Sequence, residues 1–265
     1  MIIISEKLNS SIPSVLEAFQ TRDDDLLIDI IQKQEAAGAT YIDINTAVLQ
    51  VAEAETMRYA IGLVKAHSKM GIMIDSPNVS VIEEAVKEAE GRSIIINSVT
   101  LTDRINELMP LLKQQPEIFV VGLPIPGNGV PKTAEERLSY TGELIQKLTT
   151  NGIGEERIFI DVLVEALAVG DENGKVVLDT LRLVKEKYPL VKTIGGFSNI
   201  SFGLPKRLIL NATFLAMAMC LGLDSAIMDP APDSMRKSYR AINALLGNDE
   251  YCMDYIDEIR GNMEE

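Results

Sequence analysis

Histidine occurs once in this chain, as His67. It stands late in a helical stretch between the second and third apolar runs, where it reads as a surface helix residue. Any site built at the C-terminal ends of those runs therefore lacks a histidine base and a histidine-held metal. There are two cysteines, Cys220 and Cys252. They match no metal spacing, and their scarcity fits a reducing cytosol. Basic residues are outnumbered 25 to 39, for a net charge of −14. That argues against a nucleic-acid partner, which needs a basic face. No glycine-rich phosphate loop of the usual type is present. The longest uncharged apolar run, Leu208 to Leu223, is short for a membrane span and contains Asn211 and Thr213. Met1 to Ser5 lacks the basic start and long apolar run of a signal peptide. The expectation is a cytoplasmic chain with no membrane segment.

What the chain does have is 46% apolar residues, arranged in eight short runs. These are Ile2–Asn9, Tyr41–Asn45, Gly71–Asp75, Ser93–Asn97, Ile118–Gly122, Arg157–Asp161, the run Leu190 to Ile194, and Ser225–Asp229. Helical patterns separate them. Asp24 is expected to cap the first, Ser80-Val-Ile-Glu83 and Thr133-Ala-Glu-Glu136 read as capping boxes, and Asp233 is expected to cap a late one. Thr102 opens a short helix in which Pro110 predicts a kink or an early stop. Nearly continuous apolar strands belong to a parallel sheet covered on both faces. Eight strand–helix units favour a closed (β/α)8 TIM barrel over an open doubly wound sheet, and 265 residues are about right for one. No linker divides the chain, so residues 1–265 read as one barrel domain of the α/β class.

Barrel enzymes place their chemistry at the C-terminal ends of the strands. Those ends carry Glu6, Asn9, Asp43, Asn45, Asp75, Asn97, Asp161, Ser198, Asn199 and Asp229. A single Asp or Asn there can simply cap the next helix. Asp75, Asn97 and Asp161 are sharper candidates, because each directly follows three or four apolar residues and is expected at the last ordered strand position, facing the mouth. Neither His nor Lys is expected among these ends to supply a proton, and no cysteine to act as nucleophile. A metal held by carboxylates alone is disfavoured, since the amides of Asn97 and Asn199 add no charge. Carboxylates and amides without a cation suit a neutral, donor-rich heterocycle. A 2-amino-4-oxo-pyrimidine edge offers two parallel N–H groups to one carboxylate, with a carbonyl beside them for an amide. A pterin meets this description, and so does guanine. Gly195-Gly196 lets a backbone approach such a flat ring closely.

These residues resemble the pterin-binding methyltransferases that move a methyl group between tetrahydrofolate and a corrinoid protein. The resemblance covers nearly the whole chain. It rests on Ile4-Ser-Glu-Lys-Leu-Asn9, Ile42-Asp-Ile-Asn45, Ile74-Asp-Ser76, Ile96-Asn-Ser98, Ile160-Asp161, Ser198-Asn199, Arg207 and Asn211 to Met219. It implies that Asp75, Asn97 and Asp161 hold the pterin edge, that Gly196 and Ser198 line the ring, and that Arg207 assists ligand binding. Asn199 is implied to reach N5, the atom that carries the methyl group, and so to be the catalytic residue. Phe202 departs from the pattern: the corresponding enzymes of acetyl-CoA synthesis have a Gln there. Folate is then a substrate, 5-methyltetrahydrofolate or tetrahydrofolate. The corrinoid must ride on a partner protein, because the surroundings of His67 lack the Asp-x-His-x-x-Gly motif of base-off cobalamin domains. A more distant likeness is to dihydropteroate synthase, whose leaving pyrophosphate calls for more cations than Lys206-Arg207. A non-catalytic folate-binding protein would not need Asn199. The helix from Leu208 to Leu223 is apolar on more than one face, which predicts a homodimer near it.

Overall fold

A computed structural model describes residues 1–127 and 129–261. It contains β1 (Ile2–Asn9), α1 (Pro13–Thr21), α2 (Asp24–Ala36), β2 (Tyr41–Asn45), α3 (Glu53–His67), β3 (Gly71–Asp75), α4 (Val79–Glu88), β4 (Ile94–Thr100) and α5 (Arg104–Gln114). Then follow β5 (Phe119–Leu123), α6 (Ala134–Thr150), β6 (Ile158–Asp161), α7 (Asn173–Lys187), β7 (Lys192–Ile194), α8 (Arg207–Cys220), β8 (Ser225–Met228), α9 (Asp233–Leu245) and α10 (Met253–Gly261). The strands pair in parallel in the order β7-β6-β5-β4-β3-β2-β1-β8.

The seam between β7 and β8 is thin. The Ile227 N–H donates to the Gly195 carbonyl at 2.9 Å, and Gly196 bridges to Ile227. Side chains reinforce it: Asp224 accepts both the N–H and the hydroxyl of Thr193, and the Ser225 hydroxyl donates to the Thr193 carbonyl at 2.7 Å. These contacts bring the eight strands round into a barrel.

Alternation along each strand divides the core in two. Ile72 and Ile74 face the helices, while Met73 between them joins Ile4, Ile95, Val121, Phe159 and Ile194 in a cluster inside the barrel. Phe119 and Phe159 meet edge to face with centroids 5.9 Å apart, and the Lys192 ammonium lies 5.3 Å from each ring. A fully buried Ile or Leu contributes roughly 1.5–3 kcal/mol, so both layers matter to stability. The apolar plug has a consequence for chemistry. Side chains two positions further along a strand point the same way, so Glu6, Asp43, Asp75, Asn97 and Asp161 stand in a polar layer above Ile4, Tyr41, Met73, Ile95 and Phe159.

Several local expectations need correction. Asp23, not Asp24, caps α2, accepting from the Leu26 N–H. Ser80 lies inside α4, which begins at Val79, so Ser80–Glu83 forms no capping box. Pro232 rather than Asp233 precedes α9, and Asp233 is its first residue. The Thr133–Glu136 box is present. α5 starts after Asp103 rather than at Thr102, and it continues through Pro110 to Gln114. α1 has no counterpart among the helices expected from the sequence. It follows a β1–α1 connection with Pro13 at its first turn, where a missing N–H costs nothing.

Candidate functional site

The polar layer is densest over β2, β3 and β4. Register places Asn45 beside Asp75 and Asp75 beside Asn97. The Asn45 amide donates to Asp75 Oδ2 at 2.7 Å. Asn97 hydrogen-bonds to Asp43, which lies one residue pair deeper and is only 3% exposed. Asp43 Oδ1 has no partner among the described residues. Burial first, and then the nearby Asp75 charge, push the Asp43 carboxyl well above the ordinary range. Burial raises Asp75 as well, opposed by the Asn45 hydrogen bond and the charge of Arg104. Two acids held this close in a dry pocket favour keeping a proton.

Arg104 ties the ends of β3 and β4 together. Its guanidinium donates to the Ser98 carbonyl at 2.5 Å and to the carbonyls of Ser76 and Pro77. Behind it, Glu53 is buried, accepting from the Ser76 hydroxyl and the Asn78 amide at 2.5 Å each. These contacts fix the loop that follows Asp75.

Asp161 stands on the other side of β5. Asp75 and Asn97 are on adjacent strands, but Asp161 is two strands beyond Asn97, so the three do not sit at consecutive strand ends. Nor is Asn97 the last residue of its strand: β4 runs on to Thr100, with a register shift between Asn97 and Val99. Asp161 Oδ1 accepts the Leu163 N–H at 2.7 Å. Burial pushes the Asp161 carboxyl up to about 6, against the lowering effects of that N–H and of Arg137. Arg137 is 1% exposed. It donates to the carbonyls of Pro131, Val162 and Leu163 and pairs with Glu165 at 3.0 Å, pinning the segment after β6.

The third part of the mouth is the turn Phe197–Ser201 after β7. Ser198 donates its hydroxyl to Glu6 Oε1 at 2.7 Å. Burial raises the Glu6 carboxyl, with the Ser198 bond opposing it. Arg207, at the start of α8, donates to the Ser198 carbonyl at 2.7 Å and to the Ser201 hydroxyl at 3.0 Å. Its guanidinium also lies 5.8 Å from the centroid of the exposed Phe202 ring. Asn199 is exposed at this turn. A Cβ on Gly196 would come within 2.8 Å of Asn199 Nδ2, so glycine here leaves the amide its place. A cavity of about 220 Å³ opens beside the turn, lined by Glu6, Lys7, Ser198, Arg207, Asn211 and Asp229 among others. Lys7 brings an ammonium to the mouth, contrary to expectation, 3.3 Å from Asp229. Asn9 instead closes a local turn by accepting the Ser11 N–H. His67 is exposed at the end of α3. Among the described residues no three His, Cys, Asp or Glu side chains group as a metal-holding set.

Comparison with known proteins bears on this arrangement. The pterin binding enzyme family matches residues 5–229, from the middle of β1 to the residue after β8. The chain belongs to that family. A methylcorrinoid:tetrahydrofolate methyltransferase of Eubacterium limosum is 32% identical over 262 residues, covering 98% of this chain and 96% of that protein. A methionine synthase of Mycobacterium leprae is 31% identical over 86% of this chain, which spans only 20% of that longer protein. Solved dihydropteroate synthases share the fold. That of Yersinia pestis with a sulfonamide drug superposes with a TM-score of 0.69 at 13% identity, covering 93% of this chain and 94% of that one. That of Xanthomonas albilineans with 4-aminobenzoic acid gives 0.68 at 17% identity, covering 92% of each.

As a pterin binding enzyme the chain has more site structure than its strand ends announced. Glu6 and Asp43 were legible as strand-end acids, and their two-residue offset from Ile4 and Tyr41 is the signal that they face inward. Arg104, Arg137 and Glu53 carry no local signal. They are helix or loop residues in sequence and become site supports only through contacts across the barrel.

Proposed function

We propose that this chain transfers a methyl group between N5 of tetrahydrofolate and a corrinoid carried by a separate protein, in the direction of tetrahydrofolate. The end-to-end likeness to the Eubacterium limosum methyltransferase carries this reading. The corrinoid supplies an activated methyl group. The chain's task is to hold the pterin, aim N5 and manage one proton. In our reading Asp75, Asn97 and Asp161 take the 2-amino-4-oxo edge, and Gly196 and Ser198 line the ring. The inward-facing acid and amide layer supports this, since it offers acceptors to a donor-rich edge. Asn199 is assigned to N5, supported by an exposed amide with room over Gly196. Arg207 acts indirectly, by holding the turn that carries Ser198 and Asn199.

In the forward step the N5 lone pair forms the new bond to carbon, and the electrons of the methyl–cobalt bond remain with the metal. N5 then loses its proton to water. The Asn199 carbonyl oxygen accepts from N5–H before that loss, and its amide donates to N5 in the reverse direction. Positioning is the main contribution to such a displacement. A dihydropteroate synthase activity is less well supported. Arg104, Arg137 and Lys7 are already committed to carbonyls and carboxylates, which leaves little cationic capacity for a leaving pyrophosphate.

Exposed apolar side chains on three mouth loops suit a docking protein: Val51 after β2, Val169 after β6 and Phe202 after β7. We also propose a homodimer through α8, which exposes Ile209 and Met217 and flanks an apolar groove of about 310 Å³ against α7. A cytoplasmic location agrees with two exposed free thiols, Cys220 and Cys252. No helix among the described residues is long and apolar enough to cross a membrane. The test is anaerobic single turnover of a methylated corrinoid protein with tetrahydrofolate, followed by cobalt absorbance. Tight folate binding with no spectral change, across candidate corrinoid partners, would leave only a folate-binding protein.

A further inference from the structure

Of the four acids in the polar layer, Asp43 is closed to solvent, while Glu6, Asp75 and Asp161 are partly exposed. It also lies deeper. Register sets it beside Met73, which pairs with Ile95 in the apolar plug, whereas Asp75 and Asn97 pair one layer above. Its Oδ1 has neither solvent nor a hydrogen-bond partner among the described residues, so a ligand in the mouth does not meet that oxygen. Asn97 does reach the carboxyl. Its hydrogen bond favours the charged form of Asp43, so Asn97 is the donor. An amide that donates through nitrogen on one side presents its oxygen on the other. We propose that Asp43 is a positioning residue, which takes the Asn97 N–H from below and so leaves Asn97 Oδ1 facing the mouth as an acceptor for a ligand N–H. The inference rests on the folate reading above, in which Asn97 belongs to the set that holds the ring edge.

The anchor settles a choice that Asn97 alone leaves open. The two ends of an amide have nearly the same size, so an unanchored Asn97 turns over at little cost. Nitrogen towards the mouth suits a ligand acceptor, and oxygen suits a ligand donor. With oxygen outward, Asn97 agrees with Asp75 and Asp161, whose carboxylates also offer only acceptors. The wall then reads N–H groups throughout. A tetrahydropterin supplies them from its 2-amino group, from N3 and from N8 of the reduced ring.

Asp43 does this without adding a second charge. The groups that face it from β1 and β3 are both acids, Glu6 and Asp75. Burial first, and then the Asp75 charge, hold its carboxyl well above the ordinary range, against the Asn97 bond. A neutral carboxyl keeps a carbonyl oxygen to accept the amide. The charge of this wall stays on Asp75, which has the Asn45 amide at 2.7 Å and the Arg104 charge to support it.

Anaerobic calorimetry with tetrahydrofolate tests the proposal. Asp43→Val removes the acceptor and should weaken binding by about two- to tenfold, as for one lost neutral hydrogen bond. Asp43→Asn keeps an oxygen to accept the amide and should bind within about twofold of the wild type. In an Asn97→Ala background Asp43→Val should add little, because the residue it positions is gone. Unchanged binding in Asp43→Val overturns the proposal. So does an equal loss in Asp43→Asn, or additive losses in the double variant. If Asp43→Val does not fold, Asp43→Ser decides in its place, since its hydroxyl is too short to reach Asn97. The protonation state is read separately in urea. Relative to Asp43→Asn, the wild type should lose stability as pH rises from about 4 to about 7, the sign for an acid that the fold keeps protonated. A flat difference would make Asp43 a charged group and overturn the proposal. A wild type that binds no tetrahydrofolate overturns the folate reading itself, and the inference with it.

Discussion

The Ser198 hydroxyl donates to the Glu6 carboxylate at 2.7 Å, joining the turn after β7 to the first strand across the thinnest part of the barrel. This bond adds a side-chain tie between the turn that carries Asn199 and the rigid sheet, beside the backbone bridge of Gly196 to Ile227. Ser198→Ala removes the donor and leaves a partly buried carboxyl without it. We expect a loss of roughly 1 kcal/mol in stability, read from urea denaturation. The looser turn should lower methyl transfer more than folate affinity. A variant with wild-type stability and rate would show that the bond holds nothing in place.

Asp161 gives two pH dependences of opposite sign. Its carboxyl is raised by burial from 3.8 to about 6, so the folded chain binds this proton more tightly than the unfolded chain does. The corresponding stabilisation is whole below about pH 3.8 and is lost as pH rises through about 6. A shift of this size corresponds to roughly 3 kcal/mol. Asp161→Asn should flatten that part of the urea midpoint between pH 4 and 6. Folate binding runs the other way, because only the carboxylate accepts two N–H groups. Affinity should strengthen as pH rises through about 6, and calorimetry on Asp161→Asn should show both a weaker complex and the loss of this midpoint.

Arg137 is a structural counterpart to Asp161. It satisfies three carbonyls and Glu165 from a site closed to solvent. Arg137→Met keeps much of the volume and removes every donor. Breaking a buried pair of this kind costs about 3–5 kcal/mol. The variant should be strongly destabilised in urea, and a shift within error would mean that the segment after β6 finds other partners.

These supports mark the boundary of what the sequence made legible. Apolar runs ending in Asp, Asn or Gly identify eight strands because a buried parallel sheet tolerates little else. The same runs identify Asp75 and Asp161 because a charge directly after three apolar residues must face a cavity or the solvent. Arg104 and Arg137 were not legible, since a cation in an amphipathic helix ordinarily faces water and only tertiary contact turns it inward. Lys7 is illegible for a related reason. Its neighbours in the chain give no hint of Asp229, which lies more than two hundred positions away. Cap positions slipped by one residue where two acids or polar residues compete, as at Asp23 and Asp24.

The outward face of α8 tests assembly. Ile209 and Met217 are 63% and 50% exposed, on a helix whose other side packs through Phe214, Leu215 and Ala218 into the core. If two chains meet there, Ile209→Asp and Met217→Asp together should convert a dimer to a folded monomer by light scattering at micromolar concentration. A wild type that is already monomeric would remove α8 from consideration.

Asn199 and Gly196 form the most discriminating pair. If the Asn199 hydrogen bond strengthens as charge changes on N5, it stabilises the transition state more than bound folate. Asn199→Ala should then slow single-turnover methyl transfer by about 10²–10³-fold, the range for losing one preorganised hydrogen bond to a group whose charge changes, with a much smaller effect on folate affinity. Gly196→Ala should act on the same amide without removing it. The new methyl would lie 2.8 Å from Asn199 Nδ2, at the end of a side chain free to swing away, so stability should change little. The amide would be displaced from its place over Gly196, and the rate should fall while Asn199 is still present. Adding Gly196→Ala to Asn199→Ala should then cost little more than Asn199→Ala alone, since the methyl group no longer has an amide to displace. Additive losses in the double variant would mean that Gly196 serves ring approach independently, and that the contact with Asn199 has no part in methyl transfer.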